Sequence, residues 1–460
     1  MHFITTCLLL LFAASVHPQV ERRVGRLTEV FAWKQLTFDI NGVILTQNQD
    51  EPVGLNRKKR QTERWEWPDA TTNRPSHSGY GNTPQRVTET PTTVPDSDEN
   101  RFFIQYNNVP MGVERVGNRV FVTIPGRRYG IPSTLNYIDF NDVAITRSPH
   151  LKPYPDIRTA RTLTSVYRTR ADQCGRLWMV DTGRLELPVR QRQIQQPAIV
   201  IFDLNTNRLI RRYELKNTDL PAENTPTGLA SITIDITNGD CDDAYAYIPD
   251  LTTFGLIVYS LRENDSWRHQ HNYYAFNPIA GNLFIANQRF AWSDGVFSVI
   301  LLPGTGGCRT AAFHPLIGFH EFSVSTCVLK NRTIVNDRNY FAMYSIVGDR
   351  GGNTQSTMHD YHPGSNVVFY GEIGRDALTC WNAGQVLQST SIGVLARDPQ
   401  RLSYPSDVHV TGDEVWLMAN TLPRFGYSTL DTNEYNFYVY RANVQDLIRG
   451  TICESASLGK

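Results

Sequence analysis

The stretch Gly175-Arg176-Leu177-Trp178-Met179-Val180-Asp181 decides how this chain reads. A glycine turn leads into apolar residues around an aromatic, and a carboxylate ends the run. A segment this short and this rich in bulky side chains is a buried strand rather than a helix. The same plan recurs at 117–123, 243–250, 308–314, 366–372 and 412–418. Strands of a second type lie between, at 197–204, 254–260 and 437–441; Asn205-Thr206-Asn207-Arg208 joins the first of these to 209–213 as a hairpin. Copies spaced by about 45–70 residues suit a four-stranded blade with its loops. The prediction is an all-β chain, a six-bladed β-propeller over 101–455, with the recurring strands innermost. A pair of β-sandwiches is the competing architecture, and six similar inner strands are hard to place in it.

Composition sets the outer bounds. The 460 residues carry 45 Lys+Arg and 45 Asp+Glu, so the formal net charge is zero. That argues against a nucleic-acid binder and gives no bulk attraction to an acidic membrane. Hydrophobic residues make up 40% of the chain, enough for a large core. The N-terminal run Leu8 to Ser15 is too short to span a bilayer and is followed by small residues, so residues 1–18 read as a secretory signal peptide. The expectation is a secreted, extracellular protein. Asn264-Asp265-Ser266 and Asn331-Arg332-Thr333 are N-glycosylation sequons. Residues 27–45 read as an N-terminal strand segment of the propeller. Residues 46–100, rich in Thr, Pro and Asn, read as a disordered insert. Within it, Arg57-Lys58-Lys59-Arg60 is either a proprotein cleavage site ending at Arg60 or a solvated basic patch.

Six cysteines remain after Cys7 leaves with the signal peptide: Cys174, Cys241, Cys308, Cys327, Cys380 and Cys453. An even number in an oxidising compartment points to disulfides. Cys174 opens one recurring strand and Cys241 precedes the next, so these two are expected to pair. The pairing of the other four stays open.

Several stretches resemble the Yellow/major royal jelly protein family of insects. They include Val30-Phe31-Ala32-Trp33-Lys34, Asn107-Asn108-Val109-Pro110-Met111-Gly112-Val113, 172–183, Trp292-Ser293-Asp294-Gly295, Val328-Leu329-Lys330-Asn331 and Val415-Trp416-Leu417-Met418-Ala419-Asn420. The resemblance implies a secreted six-bladed propeller working in cuticle pigmentation and melanin chemistry, as a royal-jelly nutrient, or as a binder of biogenic amines. Some members are credited with converting dopachrome. It implies a ligand role for Asn420, and one for Ser406. The insert at 46–100 departs from the family and marks a diversified paralogue.

Strand exits facing a central channel are where chemistry is expected. Asp181, Asp250 and Glu372 each stand three residues past a strand aromatic, and Asp407 lies just before the last recurring strand. Carboxylates around an aromatic-lined hole would hold an ammonium group. Each acid equally fits a turn cap. Dopachrome conversion takes a proton from carbon and delivers one to oxygen; Asp181, Glu372 and His314 are the candidate acid and base. His359 and His362 flank Asp360, but the spacing is not HExxH and no third ligand is evident, so they read as an exposed loop and no metal is assigned. No cofactor is assigned either; channel Ca²⁺ on the acids is the alternative. The expected ligand is a small-molecule amine or quinone, catechol- or indole-derived, with cuticle components as further partners. A dopachrome-converting isomerase and a structural or storage protein without a small-molecule site are the rival readings.

Overall fold

A computed structural model describes residues 22–50, 98, 101–142, 146–186, 191–222, 225–237 and 239–454. Six antiparallel sheets stand in a ring, a six-bladed β-propeller. Their innermost strands are Gly112–Val116, Val166–Ala171, Thr233–Ile236, Val296–Leu302, Ser356–His362 and Tyr404–Thr411. Neighbouring innermost strands pack against one another around the channel and run in the same direction. The face where they begin is here the upper face, and the face where they end the lower.

The six recurring sequence segments are not innermost. They form the second strand of every blade: Arg119–Thr123, Arg176–Asp181, Ala244–Asp250, Thr310–Pro315, Val367–Glu372 and Glu414–Asn420. A second strand is paired on both edges and packed on both faces, so its residues are almost all buried and its sequence is the most apolar of the blade. The innermost strands border the channel and carry polar side chains instead, among them Glu114, Arg168, Arg170, Asp360, Asp407 and His409. Segments 197–204, 254–260 and 437–441 are third strands. The hairpin after the first of them turns at Asn207, whose φ of 58° suits asparagine.

The ring closes with the two ends of the chain. Leu27–Trp33 adds to blade six beside Phe437–Asn443, with Trp33 opposite Phe437. Trp33 is fully buried and its indole N–H donates to the Pro149 carbonyl at 2.8 Å. Arg147 grips Glu29 with two hydrogen bonds, at 2.6 and 2.9 Å. Closure removes the free strand edges that an open propeller would expose.

Three disulfides are present. Cys174–Cys241 ties blade two to blade three, as expected. Cys308–Cys327 lies within blade four, and Cys380–Cys453 fastens the C-terminal tail to blade five. The ordered chain continues past the expected start of the insert: Gln49 and Phe103 exchange backbone hydrogen bonds at 2.9 and 3.0 Å. The signal segment and Arg60 lie outside the described residues. Asn264 sits in the turn between two strands of blade three and Asn331 at a helix end; both are exposed. Among the described residues, no helix is long and apolar enough to cross a membrane.

Candidate active site at the mouth of the channel

The predicted acids stand at the upper ends of second strands, one blade layer away from the channel, and most of them fasten backbone. Asp181 accepts from the amides of Thr164, Ser165 and Gly183 at 2.9–3.1 Å and pairs with Arg212 at 3.3 Å. Asp250 accepts from the Gly228 amide at 2.8 Å and pairs with Arg268 at 3.1 Å. Both thereby secure the loop that leads into an innermost strand, the turn-capping role that Asp fills well. Glu372 is fully buried with neither oxygen hydrogen-bonded; its nearest cation is Arg375 at 3.5 Å. Burial pushes its carboxyl up against the pull of Arg350 and Arg375. Asn420 donates to the Pro110 carbonyl at 2.8 Å and accepts from the Leu422 amide, and Ser406 donates to the Met111 carbonyl at 2.8 Å. These two hold the segment that opens blade one.

Asp407 does reach the channel. It accepts from the Val113 amide at 2.9 Å and stands 3.5 Å from Arg168 and 3.3 Å from His409. Arg168 crosses from blade two, donates to the carbonyls of Ser406 and Ala230, and lies 4.8 Å above the Phe297 ring. Its fully buried guanidinium plugs the channel. Beneath it His409 joins Glu114 at 3.4 Å, and Arg170 forms a bidentate pair with Asp360 at 2.7 and 3.0 Å.

His314, His359 and His362 are strand residues, not loop residues, and all three are buried. His314 on blade four and His359 on blade five flank Glu321, each within 3.1–3.2 Å. Arg350 donates to Glu321 at 3.1 Å, and Ser298 lies 2.7 Å from His359. The ligand-type atoms of His314, Glu321 and His359 lie within 4.8 Å of one another. The guanidinium on the same carboxylate suits a buried hydrogen-bond network between two blades better than a cation site. Burial and then Arg350 push the His314 imidazole down to about 4, so it is neutral near pH 7. His362 instead lies 2.8 Å from Ser365 and 3.1 Å from Asp413.

A different group converges above the Arg168 plug. Asp294 lies two residues before the innermost strand of blade four, Tyr404 begins that of blade six, and Tyr167 is near the start of that of blade two. Arg127 follows the second strand of blade one, and Glu186 ends the short strand Arg184–Glu186. Arg127 lies 3.4 Å from the Tyr167 hydroxyl and 3.7 Å from Glu186, and it interacts electrostatically with Tyr404 and Asp294. Trp292 stands edge-on to Tyr404 at 6.1 Å between ring centroids and donates to the Tyr427 hydroxyl at 2.6 Å. Phe290 stacks on Tyr427 at 4.7 Å.

This mouth joins Arg127 and Arg184, which stands 3.5 Å from Glu186, to two carboxylates and a band of aromatic rings. Burial pushes the Asp294 carboxyl up to about 6, with Glu186 adding to the rise and Arg127 opposing it. The Tyr404 hydroxyl is pushed up to about 12 by burial, so it stays an O–H donor at neutral pH. An acid poised near neutrality, a fixed cation and neutral phenols are the parts that proton transfer on a flat aromatic substrate requires. Sequence reasoning placed no function on Arg127, Tyr167, Glu186, Asp294 or Tyr404. The available signal was Trp292-Ser293-Asp294-Gly295, notable for its resemblance rather than its chemistry.

The profile of the family described as "Major royal jelly protein" matches residues 164–453. "L-dopachrome tautomerase yellow-f" of Drosophila melanogaster is 41% identical over 362 residues, covering 76% of this chain and 83% of that protein. "Protein yellow" of Drosophila madeirensis is 38% identical and that of Drosophila melanogaster 37%, each again over 76% of this chain. The chain spans 62% and 65% of the length of those two proteins. On this likeness and its six-bladed fold, the chain belongs to the major royal jelly protein family.

Proposed function

We propose that this protein is a secreted isomerase of the melanin pathway that converts L-dopachrome, or a close indoline-quinone, at the upper mouth of its channel. The observation that carries the reading is Asp294: a half-buried carboxyl with a pKa near 6, acted on by Arg127 and Tyr404, the latter edge-on to Trp292. The 41% identity to a protein named as an L-dopachrome tautomerase supports it. The three disulfides support an oxidising, extracellular setting.

In this reading Arg127 binds the substrate carboxylate, a charge-assisted contact that also orients the ring. Ionised Asp294 takes a proton from a ring carbon. The electrons of that C–H bond move through the ring into one quinone carbonyl, which becomes a hydroxyl as it gains a proton. Loss of a second ring C–H proton, or of the carboxylate as CO2, releases the electron pair that turns the other carbonyl into a hydroxyl in the same way. Tyr404 donates a hydrogen bond to the oxygen where negative charge grows. Trp292 and Tyr404 supply flat apolar contact.

A second reading is a biogenic-amine binder without turnover. Asp294 and Glu186 beside the same rings would hold an ammonium group. The test for both is one experiment. The full secreted protein is assayed for loss of dopachrome absorbance over the buffer rate, and dopamine is titrated calorimetrically. Turnover that Asp294→Asn abolishes supports the isomerase. Dopamine binding without turnover supports the amine binder, and the absence of both sinks both readings.

A further inference from the structure

The lower end of the channel holds a cavity of about 340 Å³ that the mouth chemistry does not use. Innermost strands of four blades build it: Arg170 from blade two, Thr233 and Ile234 from blade three, Ile300, Leu301 and Leu302 from blade four, and Asp360 from blade five. Arg309, just before the next strand of blade four, lines it together with Pro303, Tyr361 and Pro363. A volume of this size lies in the range of ordinary small-molecule sites.

Two guanidiniums belong to the lining. Asp360 is spent on the Arg170 fork, which it holds rigidly in place. Arg309 is 40% exposed; it donates to the Ile236 carbonyl at 3.0 Å and stands 3.6 Å from Asp235. Asp235 in turn is engaged by Lys330 at 2.8 Å and by the Tyr247 hydroxyl at 2.9 Å. Arg309 thus shares Asp235 with a second cation and stays partly exposed in the lining, with Ile300, Leu301 and Leu302 beside it.

We propose that this lower cavity is a second binding site, for a small amphipathic monocarboxylate. Its carboxylate sits on Arg309 with Arg170 behind it, and its apolar body lies on Ile300, Leu301 and Leu302. Arginine suits the headgroup because its planar fork matches a carboxylate. The branched side chains give the body a dry surface. The site opens on the face opposite the mouth and does not depend on the isomerase reading.

Calorimetric titration of the full protein with octanoate, which lacks the flat ring that the mouth reading requires, tests this, with octanamide as the uncharged counterpart. Octanoate should bind at least tenfold tighter than octanamide. Arg309→Gln should weaken the acid at least tenfold, and Leu302→Glu, on the same wall, should do likewise. Both positions are partly exposed, and unchanged melting temperatures would confirm folding. Arg127→Gln, in the mouth, should leave this binding intact. No binding of octanoate to the wild-type protein overturns the proposal. So does binding that survives both lower-cavity substitutions, or that Arg127→Gln removes.

Discussion

At the residue scale, burial decides which acids can do chemistry. Asp181 and Asp250 are surrounded by amide donors and an arginine, so they are structural fixtures. Asp294 has Arg127 for an electrostatic partner and a desolvated setting, which leaves it near 6. The rate should therefore rise with pH through about 6 as Asp294 ionises, then level off; kcat/KM against pH checks it. Asp294→Asn should remove that limb and lower kcat by about 10²–10⁴-fold. Arg127→Gln should act mainly on KM for dopachrome, by about tenfold to a hundredfold. The buried Glu321 network has its own pH signature. Burial would raise the Glu321 carboxyl, but His359 and His314 outweigh it and hold the group well below the usual range. Its contribution is present above the unfolded carboxylate pKa of about 4.3 and is lost as pH falls through the folded value. His314 adds a loss in the same direction. Its folded pKa of about 4 lies below the ordinary 6.5, so the unfolded chain binds the extra proton between those values. Thermal melts from pH 7 to pH 2 should show falling stability, first as His314 of the unfolded chain takes up its proton and then, below about 4, as Glu321 does, and Glu321→Gln should flatten the limb below about 4.

At the level of elements, strand and hairpin positions were legible in the sequence, because short apolar runs between turn residues carry that information. Their rank within a blade was not. A second strand and an innermost strand differ in what faces the channel, and the innermost strands of this protein carry Arg168, Arg170, Asp360 and His409 among their apolar residues. Such mixed strands lack the clear pattern of Trp178 and its neighbours, so the more apolar second strands took the innermost place in the reading. The same cause turned the strand holding His359 and His362 into an expected loop. Cys174–Cys241 was legible because both residues adjoin recurring strands of successive blades. Cys380 was not, because its partner Cys453 lies in a tail with no strand pattern. The closing strand Leu27–Trp33 makes a prediction of its own. Trp33→Ala empties a fully buried site and should cost about 3–5 kcal/mol in denaturant unfolding.

For the whole molecule, the ring leaves two open ends separated by a charged plug. Arg168 with Asp407, and below them His409, Glu114, Arg170 and Asp360, fill the channel between the mouth and the lower cavity. The family resemblance and six-bladed ring were readable from ordered sequence motifs. The mouth was not, because its members come from four blades and meet only when the ring closes. Opening the ring should therefore abolish activity before it unfolds the blades. Cys380→Ser, which frees the C-terminal tail, should cost about 2–5 kcal/mol of stability by calorimetric melting. The most direct test of the account is dopachrome turnover by the purified protein and by Asp294→Asn across pH 5 to 8. The account predicts wild-type turnover with a limb near 6 that the variant lacks. Equal rates for the two proteins, or a wild-type rate no faster than buffer, would contradict it.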